Sequence, residues 1–130
     1  MTFYDLIAAT TFLERYHINY MDLPTDNHLP IVVDVDGDAI LRGENLTNAD
    51  IPVKFRKVEG NFECQNNQLT SLDFAPEEVG GIFNCSYNNI SDFDNIPTKH
   101  VEGNFYAYGS DPEKLTKLKS IVKGKIFPKH

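Results

Sequence analysis

The chain has no apolar run approaching the ~18 residues that a membrane-spanning helix needs. It also opens without the basic, apolar and small-residue regions of a secretory leader. These absences lead us to expect no membrane partner and a cytoplasmic location. Cysteine is scarce: Cys64 and Cys85 form no CxxC or Cys/His spacing, which removes the common zinc sites. We expect them to be small buried core residues and not a disulfide. His17, His28, His100 and His130 are scattered, and no serine, cysteine or histidine constellation suggests a nucleophile. We therefore expect no enzyme, no cofactor and no metal. Cations are few, 12 against 19 acids in 130 residues, for a net charge of −7. The shortage is uneven. Residues 111–130 hold six lysines against Asp111 and Glu113, or +4, whereas residues 1–110 hold six cations against 17 acids, or −11. A body this negative repels nucleic-acid phosphate and is steered toward basic protein surfaces.

What the chain does have is repetition. Val58-Glu59-Gly60-Asn61-Phe62-Glu63-Cys64 returns as Val79-Gly80-Gly81-Ile82-Phe83-Asn84-Cys85 and again as Val101-Glu102-Gly103-Asn104-Phe105-Tyr106-Ala107. The two intervals are 21 and 22 residues, counted from Val58 to Val79 to Val101. Asn67 to Pro76 matches Asn88 to Pro97, and an earlier, degraded copy runs from Val35 to Pro52, with Glu44 where the others have asparagine. About four coils are expected, the last cut short, because a period of this length marks stacked repeats. Strands of successive copies would lie about 4.8 Å apart, so residues of equal phase would pile into columns. The columns Val35/Val58/Val79/Val101, Ala39/Phe62/Phe83/Phe105, Leu41/Cys64/Cys85/Ala107, Leu46/Leu69/Ile90 and Ala49/Leu72/Phe93 are apolar and form the expected core. Gly37, Gly60, Gly81 and Gly103 recur two residues before the aromatic column, where a bulge or an unusual backbone angle is expected. The side-chain amides of Asn67 and Asn88 are expected to bond backbone groups of adjacent turns.

The segments Phe62-x-Cys64-x-x-Asn67-x-Leu69-x-x-Leu72 and Phe83-x-Cys85-x-x-Asn88-x-Ile90-x-x-Phe93 resemble the leucine-rich repeat pattern, with Phe and Cys in two leucine positions. The Val-Gly-Gly-x-Phe-x-Cys-Ser-x-Asn-Asn wording is similar to short leucine-rich-repeat proteins encoded by bacteriophages and some bacteria. The resemblance covers about residues 35–110. It implies an α/β repeat fold, a short solenoid with parallel strands, and, for a phage protein, the host cytoplasm as its location. The family binds many kinds of partner, so the resemblance itself names none.

The remainder reads as caps on one domain: residues 1–30 as a helix and loop, 31–110 as the repeats, 111–130 as a C-terminal helix. Thr2 caps a first helix whose Phe3, Leu6, Ile7, Leu13 and Tyr16 recur on one side. Ile18 to Asn27 reads as a loop or short extended piece, with Pro24 and Pro30 marking turns. Ile31-Val32-Val33-Asp34-Val35-Asp36-Gly37 is similar to the first motif of haloacid-dehalogenase phosphatases, but Asp38 departs from it, no later motif follows, and the run falls into the repeat register. The closing Glu of a calcium loop is missing as well. Val53-Lys54-Phe55-Arg56-Lys57 is read as a solvated return loop. Asp111-Pro112-Glu113 opens the last helix, Leu115, Leu118 and Val122 share a face, and Gly124 is its expected C-cap.

Function is then expected on the solvent side of the repeat strands. The candidate partner-binding residues are Ile40, Arg42, Asn61, Glu63, Gln65, Ile82, Asn84, Tyr106 and Tyr108, with Asp38, Ser86 and Asn104 beside them. Tyr106 and Tyr108 are the anchors of an open face or, equally, residues packed under the C-terminal helix. The expected activity is non-enzymatic protein binding to a basic surface, with a homodimer also open. An acidic nucleic-acid mimic is the alternative, and direct nucleic-acid binding is not expected.

Overall fold

A computed structural model describes residues 2–21, 23 and 29–128. Pro24, His28, Lys129 and His130 lie outside these residues. Two parallel sheets run from Ile31 to Phe127. The strands are β1 (Ile31–Val35), β2 (Ala39–Ile40), β3 (Val53–Val58), β4 (Phe62–Glu63), β5 (Glu78–Val79), β6 (Phe83–Asn84), β7 (His100–Val101), β8 (Phe105–Tyr106) and β9 (Ile126–Phe127). The first sheet has the order β1-β3-β5-β7 and the second β2-β4-β6-β8-β9. Each copy contributes one strand to each sheet, joined by a three-residue corner.

The registers are those of the apolar columns. Val58 pairs with Val35 and Val79, Val79 with Val101, Phe62 with Ala39 and Phe83, and Phe83 with Phe105. Phe62, Phe83 and Phe105 are fully buried, with ring centroids 5.1 Å and then 4.6 Å apart. Burying one such ring contributes about 1.5–3 kcal/mol, and no single copy could enclose it. Leu46, Leu69 and Ile90 are buried, as are Leu72 and Phe93. Ala49 is not. It lies in a short 3-10 helix, Asn48–Asp50, whose ends are tied by reciprocal Thr47 and Asp50 bonds, and Ile51 packs against the core there instead.

The corner glycines are required by contact more than by backbone angle. Gly60, Gly81, Gly103 and Gly124 each donate their N–H to the glycine carbonyl of the preceding copy, at 2.8, 2.9, 2.9 and 3.1 Å. Of the recurrent corner glycines, where a bulge or an unusual backbone angle is expected from the sequence, only Gly37 has a positive φ, at 103°. A left-handed position does recur, but four residues after the aromatic column: Gly43 (φ 65°), Asn66 (60°), Tyr87 (56°) and Gly109 (87°).

Three sequence expectations change. Val53–Lys57 is not a loop but most of β3. Register shifts by one residue between Val33/Phe55 and Asp34/Lys57, so Arg56 and Lys57 both face out and Val58 returns inside. The N-terminal helix α1 (Phe3–Arg15), with its Thr2/Asp5 capping box, buries Ala9, Phe12 and Leu13, whereas Phe3 and Ile7 are 73% and 44% exposed. Only its C-terminal half reaches the core. The C-terminal segment is a 3-10 helix, Pro112–Ser120, capped by Asp111 and burying Leu115 and Leu118, and it ends before Gly124. Gly124 is a fifth corner: Val122 bridges Val101, and β9 pairs with β8 through Ile126/Phe105 and Phe127/Tyr106. Val122-x-Gly124-x-Ile126 repeats Val101-x-Gly103-x-Phe105 21 residues on, counted from Val101 to Val122.

Asn67 and Asn88 make the inter-turn bonds expected of them. Asn67 Oδ1 accepts from Glu44 N (3.1 Å) and Leu46 N (2.9 Å), and its Nδ2 donates to Leu41 O (2.8 Å) and Cys64 O (3.0 Å). Asn88 repeats the pattern with Leu69 N at 3.0 Å and Cys64 O at 2.9 Å. Cys64 and Cys85 are free and buried, and burial pushes both thiols well above their usual range. Because the thiolate is the nucleophile, neither is expected to react with iodoacetamide in the native state, and both should alkylate in urea. Alkylation of the folded protein, read by mass spectrometry, would contradict this placement.

Candidate interaction face

The outward side of the second sheet carries two rows of side chains. The register places Ile40, Glu63, Asn84, Tyr106 and Phe127 side by side along the first row. Two residues further along each copy lies the second row, Arg42, Gln65, Ser86 and Tyr108, held by Gly43 N to Gln65 O (3.0 Å), Asn66 N to Ser86 O (2.9 Å) and Tyr87 N to Tyr108 O (2.9 Å).

These rows are polar at one end and aromatic at the other. Tyr106 stacks on Phe127 with centroids 4.9 Å apart and planes at 9°, Tyr108 tilts against both (5.9 and 6.2 Å), and Tyr87 reaches Tyr108 at 6.3 Å. The tyrosines thus pack against β9 of their own sheet, where the sequence offered an open face or the underside of a helix. Both are half-buried, and Tyr87 is 44% exposed. A bulky residue at φ 56° is unusual. Asn66, one copy earlier, fits the same angle readily.

At the polar end exposure departs from expectation. Glu63 and Gln65 point outward yet are each only 9% exposed. They occupy interior rungs, Glu63 between Ile40 and Asn84 and Gln65 between Arg42 and Ser86. Glu63 Oε1 accepts from Arg42 Nη1 (3.3 Å) and from Gln65 Nε2 (3.0 Å). The Arg42 side chain is 61% exposed and that of Glu63 12%.

Asn61 and Ile82 belong to neither row. Asp38 Oδ1 accepts from Asn61 N (2.7 Å), Asn61 Oδ1 from Ile82 N (2.9 Å), and Asn104 Oδ1 from Lys125 N (2.9 Å). This line of acceptors clamps one copy to the next. Asn84 Oδ1 accepts from Ser86 N (3.1 Å), and Ser86 Oγ from Tyr108 N (2.9 Å), which holds the second row in place.

The opposite sheet is charged. Asp34 is gripped by Arg56 Nε at 2.9 Å and by its Nη2, and this carboxylate raises the Arg56 pKa above its ordinary value. Glu102 sits 2.8 Å from both Lys123 Nζ and His100 Nε2, and the Lys123 hydrogen bond, ahead of that from His100, lowers its pKa. The Asp34 carboxylate is thus occupied by a guanidinium within the sheet. Among the described residues no group of three or more His, Cys, Asp or Glu is placed to hold a metal ion. Among those same residues, no helix is long and apolar enough to cross a membrane.

Sequence reasoning did not reach Phe127 or Tyr87. The first was legible in the fifth Val-x-Gly, whereas the second had no signal, because its ring joins the face through a turn angle. Comparison with models of known protein families, with characterised proteins and with solved structures finds no match for this chain.

Proposed function

We propose that the chain is a non-enzymatic protein-binding scaffold: a short leucine-rich-repeat-like solenoid of about four coils that docks a partner protein through the outward face of its second sheet. The observation that supports this most is the cluster Tyr87, Tyr106, Tyr108 and Phe127, set on the outward side of a rigid sheet. Tyrosine carries much of the energy at interfaces because it presents a large apolar body and a polar tip with little conformational freedom to lose. Retention of Tyr87 at a left-handed angle, at a cost of about 1–2 kcal/mol, adds to the reading. The −11 balance of residues 1–110 favours a partner with a basic surface. If the chain is phage-encoded, as its repeat wording suggests, that partner is a host factor which the phage restrains.

The test is capture from lysate of the source cell, identified by mass spectrometry, with Tyr87→Asn and Tyr108→Ser as face variants. Asn suits the angle at position 87, so that variant should keep or raise the melting temperature while weakening capture at least about tenfold, the scale of one interface aromatic. Capture unchanged in both variants would reject this face. Capture that is lost in moderate salt and competed by polynucleotide would support the acidic mimic instead.

A further inference from the structure

We infer that the polar end of this face is built to receive an arginine side chain of the partner. The inference rests on the docking function proposed above and names the group that function would recognise.

Among the described residues, Gln65 Oε1 is the buried side-chain polar atom left without a hydrogen-bond partner. Its amide orientation is chemically fixed, since turning it over would set the carbonyl against the Glu63 carboxylate that its Nε2 now serves at 3.0 Å. A buried acceptor with no donor is unfavourable, so an N–H that reaches it adds a bond the free chain lacks. Beside it, Glu63 is a nearly buried carboxylate whose cation is not buried: Arg42 holds it at 3.3 Å from a side chain that is 61% exposed. The site therefore offers two acceptors: a carboxylate served by Gln65 Nε2 and by the exposed Arg42, and an amide oxygen served by no donor.

Geometry selects the guest. Along the second row Gln65 is separated from Tyr108 by Ser86, whose buried hydroxyl already accepts from Tyr108 N at 2.9 Å. Two strand spacings, about 10 Å, thus divide the acceptors from the aromatic rings, with a small side chain in between. A guanidinium is flat and carries donors that diverge in its plane, so a single group can bond both Glu63 and Gln65. An ammonium has neither the plane nor the divergent donors. The surrounding negative charge attracts such a guest and repels an acidic one.

The experiment is a titration of the full chain with acetyl-Gly-Arg-Gly-amide, followed by NMR of the Gln65 side-chain amide and the tyrosine rings. The citrulline peptide, of the same shape without the charge, serves as comparison. The arginine peptide should shift both sets of signals and bind at least about tenfold more tightly than the citrulline one, as expected when the hydrogen bonds are charge-assisted. Arg42 competes for Glu63, so Arg42→Gln should strengthen arginine binding several-fold. A merely structural Glu63/Arg42 pair would give no such gain. Equal binding of the two peptides, shifts confined to other parts of the chain, or weaker binding by Arg42→Gln would each overturn the inference. If the arginine peptide fails while partner capture still depends on Tyr87 and Tyr108, this inference falls and the docking face stands; if capture is also indifferent to those tyrosines, both fall.

Discussion

Gly103→Ala is expected to lower stability by about 3 kcal/mol, at the upper end of what an overpacked interior site usually costs. A Cβ at this position would lie 2.7 Å from Gly81 O, 2.9 Å from Gly81 C and 3.2 Å from Ile82 N, all backbone atoms. A flexible side chain could swing aside, but backbone can yield only by separating two copies. Separation would stretch the bond from Gly103 N to Gly81 O, now 2.9 Å, together with the β6 to β8 pairing next to it. Urea unfolding should show a lower midpoint at unchanged slope. Gly37→Ala is the informative control. That position has open space around it and a φ of 103°, so its cost should be the smaller one of backbone angle alone, about 1–2 kcal/mol. Equal losses in the two variants would mean that the glycines are needed for their angles and not for the close approach of neighbouring copies.

The second large effect is expected from Asn67→Leu, which preserves side-chain size and deletes the amide. Three backbone groups lose their partner, the N–H groups of Glu44 and Leu46 and the carbonyl of Leu41, while Cys64 O keeps its bond from Asn88 Nδ2 and Gln65 O its bond from Gly43 N. Asn67 is only 8% exposed, so water replaces those bonds poorly. A buried group left unsatisfied costs about 1–3 kcal/mol. The cluster together should lose about 3–5 kcal/mol, among the largest effects of single substitutions. Because Asn67 joins the first copy to the second, hydrogen exchange should rise first around Leu41 to Leu46 and leave β8 and β9 protected. A loss below about 1 kcal/mol, or exchange rising evenly through the chain, would show that the amide does not carry the junction.

These expectations also separate what is legible in a sequence of this kind from what is not. Phe62, Phe83 and Phe105 could be placed in one column without coordinates, because identical side chains at a 21- or 22-residue spacing meet only when the copies stack. The asparagine amides could be placed for the same reason. Ala49 broke its column because a local Thr47/Asp50 bond pair favoured a 3-10 turn, and local hydrogen bonds leave no trace in a periodicity. Phe3 and Ile7 joined the apolar stripe of their helix, yet the stripe outruns the surface available to cover it. At the C-terminus the helical signals of Asp111 and Pro112 drew Gly124 into the role of a cap, whereas its true partner, Gly103, lies one copy earlier.

On the face itself, the register placed Ile40, Arg42, Glu63, Gln65, Asn84, Tyr106 and Tyr108 in the outward rows, and Asn61 and Ile82 in the clamp between copies. Sequence alone determined which residues share a phase, since phase is a property of spacing along the chain. Only the tertiary structure decided which of them see solvent, since exposure depends on the rungs above and below. Glu63 and Gln65 are nearly buried although their phase is outward, while Phe127 arrives from the far end of the chain to support Tyr106.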